Sequence, residues 1–160
     1  MKLKPENLTA LIDNREQTPF DLKPMMTERA TTAKADYSVK GFEDLIAVER
    51  KEFIDLVGYT TTGRCRFERE QLRMKAYPSK CVVIKGGWSQ LATGSYRSQV
   101  NPLSVTHTIA IWISRYGAPF QFCGRWEFAQ DLTQYFLFSS AKRIHGYLEN
   151  SFTDILRQAS

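Results

Sequence analysis

A short apolar run that ends in three charges is the feature that most constrains this chain. Residues 45–48 read Leu-Ile-Ala-Val and are followed at once by Glu49, Arg50 and Lys51. A brief uninterrupted apolar run is typical of a strand buried on both faces of a sheet. Because alternate residues of a strand face opposite sides, Glu49 and Lys51 should point together and Arg50 away from them. Charges at the end of a buried strand indicate a functional site at that edge of the sheet.

The order of the remaining elements predicts an α/β fold in three layers, with a central mixed β-sheet flanked by helices. The apolar patterns predict strands over 9–13, 31–39, 45–48, 81–84 and 120–123, and helices over 52–57, 64–76, 105–116 and 126–148. The polar stretches 14–29 and 89–101 are predicted to be loops. Neither a repeat nor a long linker divides the chain, so we expect one domain over 1–150 and a short C-terminal tail over 151–160.

Composition argues against several classes of protein. Hydrophobic residues make up 42% of the 160 residues, close to the share found in globular domains. Cys65, Cys81 and Cys123 are far apart and form no Cys-x-x-Cys pair, which argues against a zinc site and against a disulfide framework. The sequence shows neither a signal peptide nor an apolar stretch of membrane-spanning length, so we expect no membrane partner. The net charge of +5 favours nucleic acid as a partner, although weakly by itself.

Three side chains suit the hydrolysis of a phosphodiester. Asp36 precedes Glu49 by about the length of one hairpin, so pairing of the two strands can bring these carboxylates together. Mg²⁺ prefers hard oxygen ligands and usually takes only a few carboxylates, keeping water in its shell. Lys51 would place a positive charge where anionic charge builds up in the transition state. An Asp…Glu-x-Lys pattern is therefore a minimal metal-dependent phosphodiesterase site, with Mg²⁺ or Mn²⁺ as the expected cofactor.

Together these motifs resemble those of the XPF-type (XPF/Hef) structure-specific endonuclease domains, a branch of the restriction-endonuclease-like, PD-(D/E)xK superfamily. That family carries Gly-Asp, a spacer, and then Glu-Arg-Lys-x-x-x-Asp. Here the corresponding residues are Ala35-Asp36 and Glu49-Arg50-Lys51, followed by Asp55. The family's first strand ends in Asp-x-Arg-Glu, as residues 13–16 do in this chain. The resemblance covers residues 8–87 well and the remainder by element order.

The resemblance implies a role for each matching residue. Asp36 and Glu49 would bind the metal, with Asp13 helping directly or through water, and Lys51 would be the catalytic lysine. Arg15 and Arg50 would hold the site or the phosphate, although a purely structural salt bridge is an equal interpretation for Arg50 and also for Asp55. Glu16 and Asp55 would support the metal ligands. The implied activity is cleavage of DNA at branched, flap or fork structures during recombination, repair or replication.

Two departures from the family pattern affect this interpretation. Ala35 replaces the motif glycine, and alanine does not adopt a positive φ cheaply, so the local turn could differ. The tandem helix-hairpin-helix module of many family members is not recognisable in the sequence, and we expect none after Asn150. Selectivity for branched DNA would then depend on a partner protein, a second copy of the chain or the loop itself. Size alone suggests a bacterial or phage-encoded protein that works in the cytoplasm at the nucleoid.

Further residues suggest DNA contacts and self-association. Lys85, Trp88 and Arg97 combine basic and aromatic side chains after a central strand, and Arg64 belongs to a basic turn. The last helix is rich in aromatic residues. Phe128, Leu132, Tyr135 and Phe136 share a predicted core face, whereas Trp126 and Phe138 lie off it. Such surplus aromatic residues suggest an interface, and the family pairs through its nuclease domains, so we expect a homodimer.

Two alternatives to an active branch-selective nuclease stay open. One is a non-catalytic DNA-binding or dimer-partner module of the same fold. The presence of Asp13, Asp36, Glu49 and Lys51 favours the enzyme, because degenerate partners lose this set. The other is a sequence-specific restriction-type nuclease, which the lack of an evident added recognition domain disfavours.

Overall fold

The structure is a computed structural model that describes residues 3–32 and 35–158. Within these residues a 3₁₀ turn over Pro5–Asn7 is followed by six strands and five helices. They are β1 (Thr9–Asp13), β2 (Met26–Ala30), β3 (Tyr37–Val39), β4 (Ile46–Glu52), α1 (Phe53–Tyr59), α2 (Arg64–Met74), β5 (Ser79–Lys85), α3 (Trp88–Thr93), α4 (Pro102–Tyr116), β6 (Phe120–Phe122) and α5 (Trp126–Gln158).

The strands form one mixed sheet in the order β2-β1-β3-β4-β5-β6. β3 runs antiparallel to both β1 and β4, whereas β4, β5 and β6 run parallel to one another and β2 runs parallel to β1. β4 therefore lies inside the sheet, between a hairpin partner and a parallel neighbour. This arrangement confirms the predicted mixed sheet.

Two apolar cores lie on opposite faces of this sheet, which makes three layers. Ala47 of β4 packs into the core formed with α1, α2, α3 and α4. Its neighbours Ile46 and Val48 pack into the other core, which α5 covers with Leu137 and Ala141. The alternation along β4 is the reason for an uninterrupted apolar run, because both faces of the strand need apolar side chains.

Three elements differ from the sequence prediction. Residues 26–30, predicted to be loop, form β2, which sits at the sheet edge with mostly exposed side chains and so lacks an apolar signal. Residues 88–93, also predicted to be loop, form the short helix α3. The last helix continues through the predicted tail to Gln158, and residues 151–158 are exposed on it.

The core-facing side of α5 also differs from the prediction. Phe128 and Tyr135 are 57% and 63% exposed, so the predicted aromatic core face was wrong for these two residues. Trp126 and Phe138, predicted to lie off the core, are partly buried against it instead. Small residues such as Ala129 and Ala141 allow the helix to approach the sheet closely, and aromatic residues occupy its flanks. No helix within 3–32 and 35–158 is long and apolar enough to cross a membrane.

Candidate active site

The β3–β4 hairpin brings Asp36 beside the charged end of β4. Tyr37 pairs with Val48 in the ladder, and the Asp36 N–H donates to the Val48 carbonyl over 3.1 Å. The Arg50 N–H then donates to Asp36 Oδ2 over 2.8 Å. Backbone pairing therefore fixes the Asp36 carboxylate next to Glu49, as the hairpin spacing predicted.

A cleft of about 210 Å³ opens where these residues meet. Asp36, Glu49 and Lys51 line it, as the alternation along β4 predicted. Arg15 from the end of β1 and Ala35 also line it, and α2 supplies one wall. The three α2 residues that face the cleft are Arg66, Glu70 and Arg73, which share one side of the helix at i, i+4 and i+7.

Lys51 is held between two carboxylates. Its Nζ lies 2.7 Å from Glu49 Oε1 and 3.0 Å from Glu70 Oε2, and its side chain is 12% exposed. Tyr59 and Phe67 present their rings to the same ammonium at 5.4 and 5.8 Å. Sequence reasoning missed Glu70, because its i,i+4 spacing to Arg66 suggests a pair on a solvated face. The available signal was the apolar neighbour Phe67, which fixes the helix face that meets the sheet.

The charged forms of the two cleft carboxylates are disfavoured. Burial raises the pKa of Glu49, and the neighbouring Asp36 charge raises it further. Burial also raises the pKa of Asp36, although the hydrogen bond from the Arg50 backbone opposes this. Burial alone would lower the pKa of Lys51, but Glu49 and Glu70 outweigh it and raise the pKa above the ordinary lysine value. The cleft therefore combines two carboxylates whose charged forms are disfavoured with a lysine whose charged form is favoured.

This donor set fits a hard divalent cation. Asp36 and Glu49 offer carboxylate oxygens, and a nearby cation would stabilise the charged forms that burial disfavours in both residues. Within the described residues no cluster of three or more His, Cys, Asp or Glu side chains is arranged to hold a metal. Two carboxylates are enough for Mg²⁺, which completes its shell with water and substrate oxygens.

Asp13 lies behind the cleft instead of lining it. Its carboxylate is 1% exposed, and Oδ1 accepts from the Arg15 backbone N–H and Nε over 2.8 and 2.7 Å. Oδ2 accepts from Arg15 Nη2 and from the N–H and hydroxyl of Thr32. The hydrogen bond from Arg15 is the main reason why the pKa of Asp13 is well below its usual range. The expectation that Asp13 contributes directly to a metal is thus not supported by its position, since its oxygens are already used to orient Arg15.

The Arg50 guanidinium lies on the other side of β4 from the cleft. It donates to both oxygens of Glu16, with Nε to Oε2 at 3.0 Å and Nη2 to Oε1 at 2.8 Å. The rings of Phe20 and Trp126 lie within 5.7 and 5.3 Å of it. Of the two interpretations of Arg50, the geometry favours the structural salt bridge over direct catalysis, and Glu16 supports the site through this bridge.

The remaining predicted site residues lie outside the cleft. Asp55 is exposed on α1 and makes no hydrogen bond or ion pair with the cleft residues among those that the structure describes. Arg64 pairs with Glu68 on α2 at 2.9 Å and does not line the cleft. Asp55 was expected to support the metal ligands and does not reach them, whereas the expected contact of Arg64 with DNA stays a prediction.

The other predicted DNA-binding residues gather at a second groove. Lys85 and Arg97 line it together with Tyr96, beyond the end of β5. Trp88 begins α3 nearby, is 48% exposed and packs one side against Phe122 at 4.0 Å between ring centroids. An aromatic ring with one supported face and an exposed side suits stacking on a base.

The replacement of the motif glycine leaves the backbone unstrained. Ala35 is 5% exposed, and no described non-glycine residue has a positive φ. The turn before Asp36 therefore does not require glycine at Ala35, which removes the first departure from the family pattern as an objection.

Comparisons with known proteins agree with this geometry. The model of the ERCC4 domain family matches residues 12–136. The solved structure of XPF from Aeropyrum pernix matches with a TM-score of 0.66 and 18% identity, covering 81% of this chain and 59% of that one. The structure of XPF from Aeropyrum pernix in complex with DNA matches with a TM-score of 0.64 and 19% identity, covering 85% of this chain and 66% of that one. No curated protein matches this chain.

The matches to solved structures and the match to the family model support different conclusions. At such low identity the two XPF structures establish a shared fold, and this chain spans less than two thirds of their length. The family match covers well over half of the chain, including β3, β4 and α2, and therefore the whole cleft. The chain accordingly belongs to the ERCC4 domain family, in agreement with the resemblance seen in the sequence, and shares the fold of the two XPF structures.

Proposed function

We propose that this protein is a Mg²⁺- or Mn²⁺-dependent DNA endonuclease that hydrolyses phosphodiester bonds, at branched, flap or fork structures. The observation that carries the proposal is the convergence of Asp36, Glu49 and Lys51 in one cleft at the end of β4. Family membership and the fold shared with a DNA-bound XPF support DNA as the substrate.

The cleft residues have different roles in the proposed reaction. Asp36 and Glu49 would hold the metal, which when bound supplies charge neutralisation at the phosphate and an activated water. Lys51 keeps its positive charge at neutral pH, because neighbouring carboxylates raise its pKa, and so it can stabilise the negative charge that develops on the phosphate. Arg15, oriented by Asp13, lies at the rim, where a phosphate oxygen could accept from it.

The groove near Trp88 favours a branched substrate over a plain duplex. The cleft offers arginines for a phosphate backbone, and the groove beside Trp88 offers aromatic and basic groups for unpaired bases. We assign the catalytic cut to the first and the recognition of an unpaired strand to the second. A non-catalytic DNA-binding module stays the second candidate, favoured by the partial neutralisation of Lys51 by Glu49 and Glu70.

The protein is also proposed to act as a homodimer. The last turns of α5 carry an exposed apolar set: Tyr147, Leu148, Phe152, Ile155 and Leu156. Exposed apolar surface of this kind on a helix suits contact with a second copy. Sedimentation of the wild type beside Phe152→Asp tests this, since the proposal requires a dimer that the aspartate dissociates.

The proposed activity is tested with a panel of end-labelled DNA substrates. Duplex, flap, fork, four-way-junction and single-stranded DNA are incubated with Mg²⁺, Mn²⁺ or EDTA. Asp36→Asn, Glu49→Gln and Lys51→Ala are compared with the wild type, and Arg157→Ala on exposed α5 serves as the control. DNA affinity is measured for every variant in EDTA.

The proposal requires metal-dependent nicking near the branch. We expect each of the three cleft variants to lose at least about 100-fold in rate, since each removes a charge that the transition state needs. Arg157→Ala should cut like the wild type. Cutting that persists in all three variants would place the reaction elsewhere. Binding without any cutting would favour the non-catalytic module.

A further inference from the structure

We infer that Glu70 is a positioning residue that holds the Lys51 ammonium at the cleft while a metal occupies Glu49. The inference rests on the proposed function and extends the active site to α2, outside the Asp…Glu-Arg-Lys motif. Glu70 lines the same cleft as Asp36 and Glu49.

Glu70 is largely buried and lies close to Lys51. Its side chain is 14% exposed, and Oε2 lies 3.0 Å from Lys51 Nζ. Arg66 approaches the other oxygen of Glu70 from one turn earlier at 3.4 Å. Phe67 anchors this part of α2: it is fully buried and its ring packs on Tyr59 and Trp112 at 4.9 and 4.7 Å between centroids.

The need for Glu70 follows from competition for Glu49. Without a metal, Lys51 Nζ contacts Glu49 Oε1 at 2.7 Å. A cation bound by Asp36 and Glu49 would neutralise part of the negative charge with which Glu49 attracts Lys51. It would also repel the Lys51 ammonium, since like charges a few ångströms apart in a poorly solvated cleft interact strongly. Among the described residues, Glu70 is the one carboxylate paired with Lys51 that is not a proposed metal ligand.

Two consequences follow for a variant that lacks the charge of Glu70. Lys51 would depend on Glu49 alone, so it would compete more strongly with the metal. Once the metal binds, Lys51 would lose its anchor and leave the geometry that the reaction needs. We therefore expect Glu70→Gln to require more metal and to react more slowly when saturated with metal.

Glu68→Gln is the matched control. Glu68 lies on the same helix, and its carboxylate accepts from Arg64 and Trp112 instead of facing the cleft. Both substitutions remove one negative charge from α2 and keep the side-chain shape. Electrostatic attraction of DNA to the whole helix therefore changes equally in the two variants.

Three measurements are made on the intact protein. Binding of Mn²⁺ is followed by electron paramagnetic resonance in the absence of DNA. Single-turnover cleavage is measured at saturating metal. The Lys51 ammonium is observed by ¹H–¹⁵N NMR of lysine-labelled protein saturated with Mg²⁺ and assigned with Lys51→Met, because a held ammonium exchanges its protons slowly enough to be detected. Thermal unfolding reports whether each variant is folded, and Glu70→Met, which also lacks the charge, replaces Glu70→Gln in all three measurements if the latter does not fold.

We expect Glu70→Gln to lose the Lys51 ammonium signal, to weaken Mn²⁺ binding about 3- to 10-fold and to slow cleavage about 10- to 100-fold, with Glu68→Gln unchanged in all three. An ammonium signal and a cleavage rate like those of the wild type in the Glu70 variant would overturn the inference. The NMR and metal measurements do not need turnover. If the wild type cuts no DNA, loss of the ammonium signal supports the positioning of Lys51 by Glu70 while the nuclease proposal fails, and retention overturns both.

Discussion

The backbone N–H of Arg50 donates a hydrogen bond to Oδ2 of Asp36 over 2.8 Å, so the middle residue of the Glu-Arg-Lys motif holds the first cleft carboxylate. The Arg50 side chain points to the opposite side of β4 and donates two hydrogen bonds to Glu16. Arg50 thus contributes to the cleft through its main chain and to stability through its guanidinium. These two contributions can be separated by substitution.

Arg50→Met should destabilise the fold much more than it impairs cleavage. Glu16 is 8% exposed and would be left as a buried charge without its partner, which costs about 3–5 kcal/mol. The backbone N–H that holds Asp36 is retained. Urea unfolding measures the loss, and cleavage below the unfolding transition should stay within about tenfold of the wild type.

The double variant Arg50→Met/Glu16→Gln provides the control for this prediction. It removes the unpaired charge but keeps an oxygen for the Thr18 N–H that Glu16 binds at 3.1 Å. Much of the lost stability should return. If the double variant instead loses as much stability as Arg50→Met and Glu16→Gln lose together when measured separately, the salt bridge is not the cause.

Asp13→Asn should lower the free energy of unfolding at neutral pH, and the difference from the wild type should narrow in acid. The hydrogen bonds from Arg15 and Thr32 hold the pKa of Asp13 below the ordinary value of 3.8. A carboxyl whose pKa is lowered by folding contributes stability above its unfolded value and loses it as the pH falls through the folded value. Arg15 is 77% exposed, so solvent screening limits the expected loss to about 2–3 kcal/mol.

Chemical unfolding at pH 7, 5, 4 and 3 measures this effect. The gap in unfolding free energy between Asp13→Asn and the wild type should be constant down to about pH 4 and narrow below it, since the Asp13 carboxyl then takes up a proton in the unfolded chain while it stays charged in the folded one. A gap that stays constant to pH 3 would contradict the assignment of this carboxylate as the partner of Arg15.

Arg66→Ala and Arg73→Ala should weaken DNA binding in a salt-dependent way. Both side chains are exposed and face the cleft from α2. If each contacts a phosphate, its removal lowers the slope of log affinity against log salt by about one. Titrations in EDTA at several salt concentrations give the slope. Arg157→Ala, on the exposed end of α5, should keep the slope of the wild type. An equal change of slope in Arg157→Ala would show that overall charge, not the cleft, is responsible.

Trp88→Ala should reduce the affinity for DNA with an unpaired strand more than the affinity for plain duplex. Trp88 is half exposed and supported by Phe122, so its truncation should cost about 1–3 kcal/mol of stacking on an unpaired base. Fluorescence anisotropy with flap and duplex DNA measures the difference. Trp88→Phe keeps a ring and should recover part of the selectivity; equal losses for both DNAs would remove this residue from strand recognition.

The part of the site that the sequence could predict is the part that depends on local geometry. Alternation along β4 places Glu49 and Lys51 together, and one hairpin brings in Asp36, because strand period and hairpin pairing are properties of a short segment. The buried run that gives β4 is visible for the same reason. These residues needed no knowledge of how the helices pack.

What the sequence could not predict depends on packing between distant elements. Glu70 reaches Lys51 only because Phe67 turns α2 toward the sheet, and the Arg66–Glu70 spacing by itself is typical of an exposed pair. Asp13 looks like a ligand until Thr32 and Arg15 occupy its oxygens. β2 shows no apolar alternation, since an edge strand with exposed side chains needs none.

The central claim is that Asp36, Glu49 and Lys51 form a metal-dependent site for cutting DNA. It is tested most directly by single-turnover cleavage of one labelled flap substrate, with protein in excess, comparing the wild type with Asp36→Asn in Mg²⁺ and in EDTA. The account predicts a defined nick by the wild type in Mg²⁺, none in EDTA, and none by Asp36→Asn although it binds the flap as tightly. Equal cutting by Asp36→Asn, or cutting by the wild type in EDTA, would contradict it.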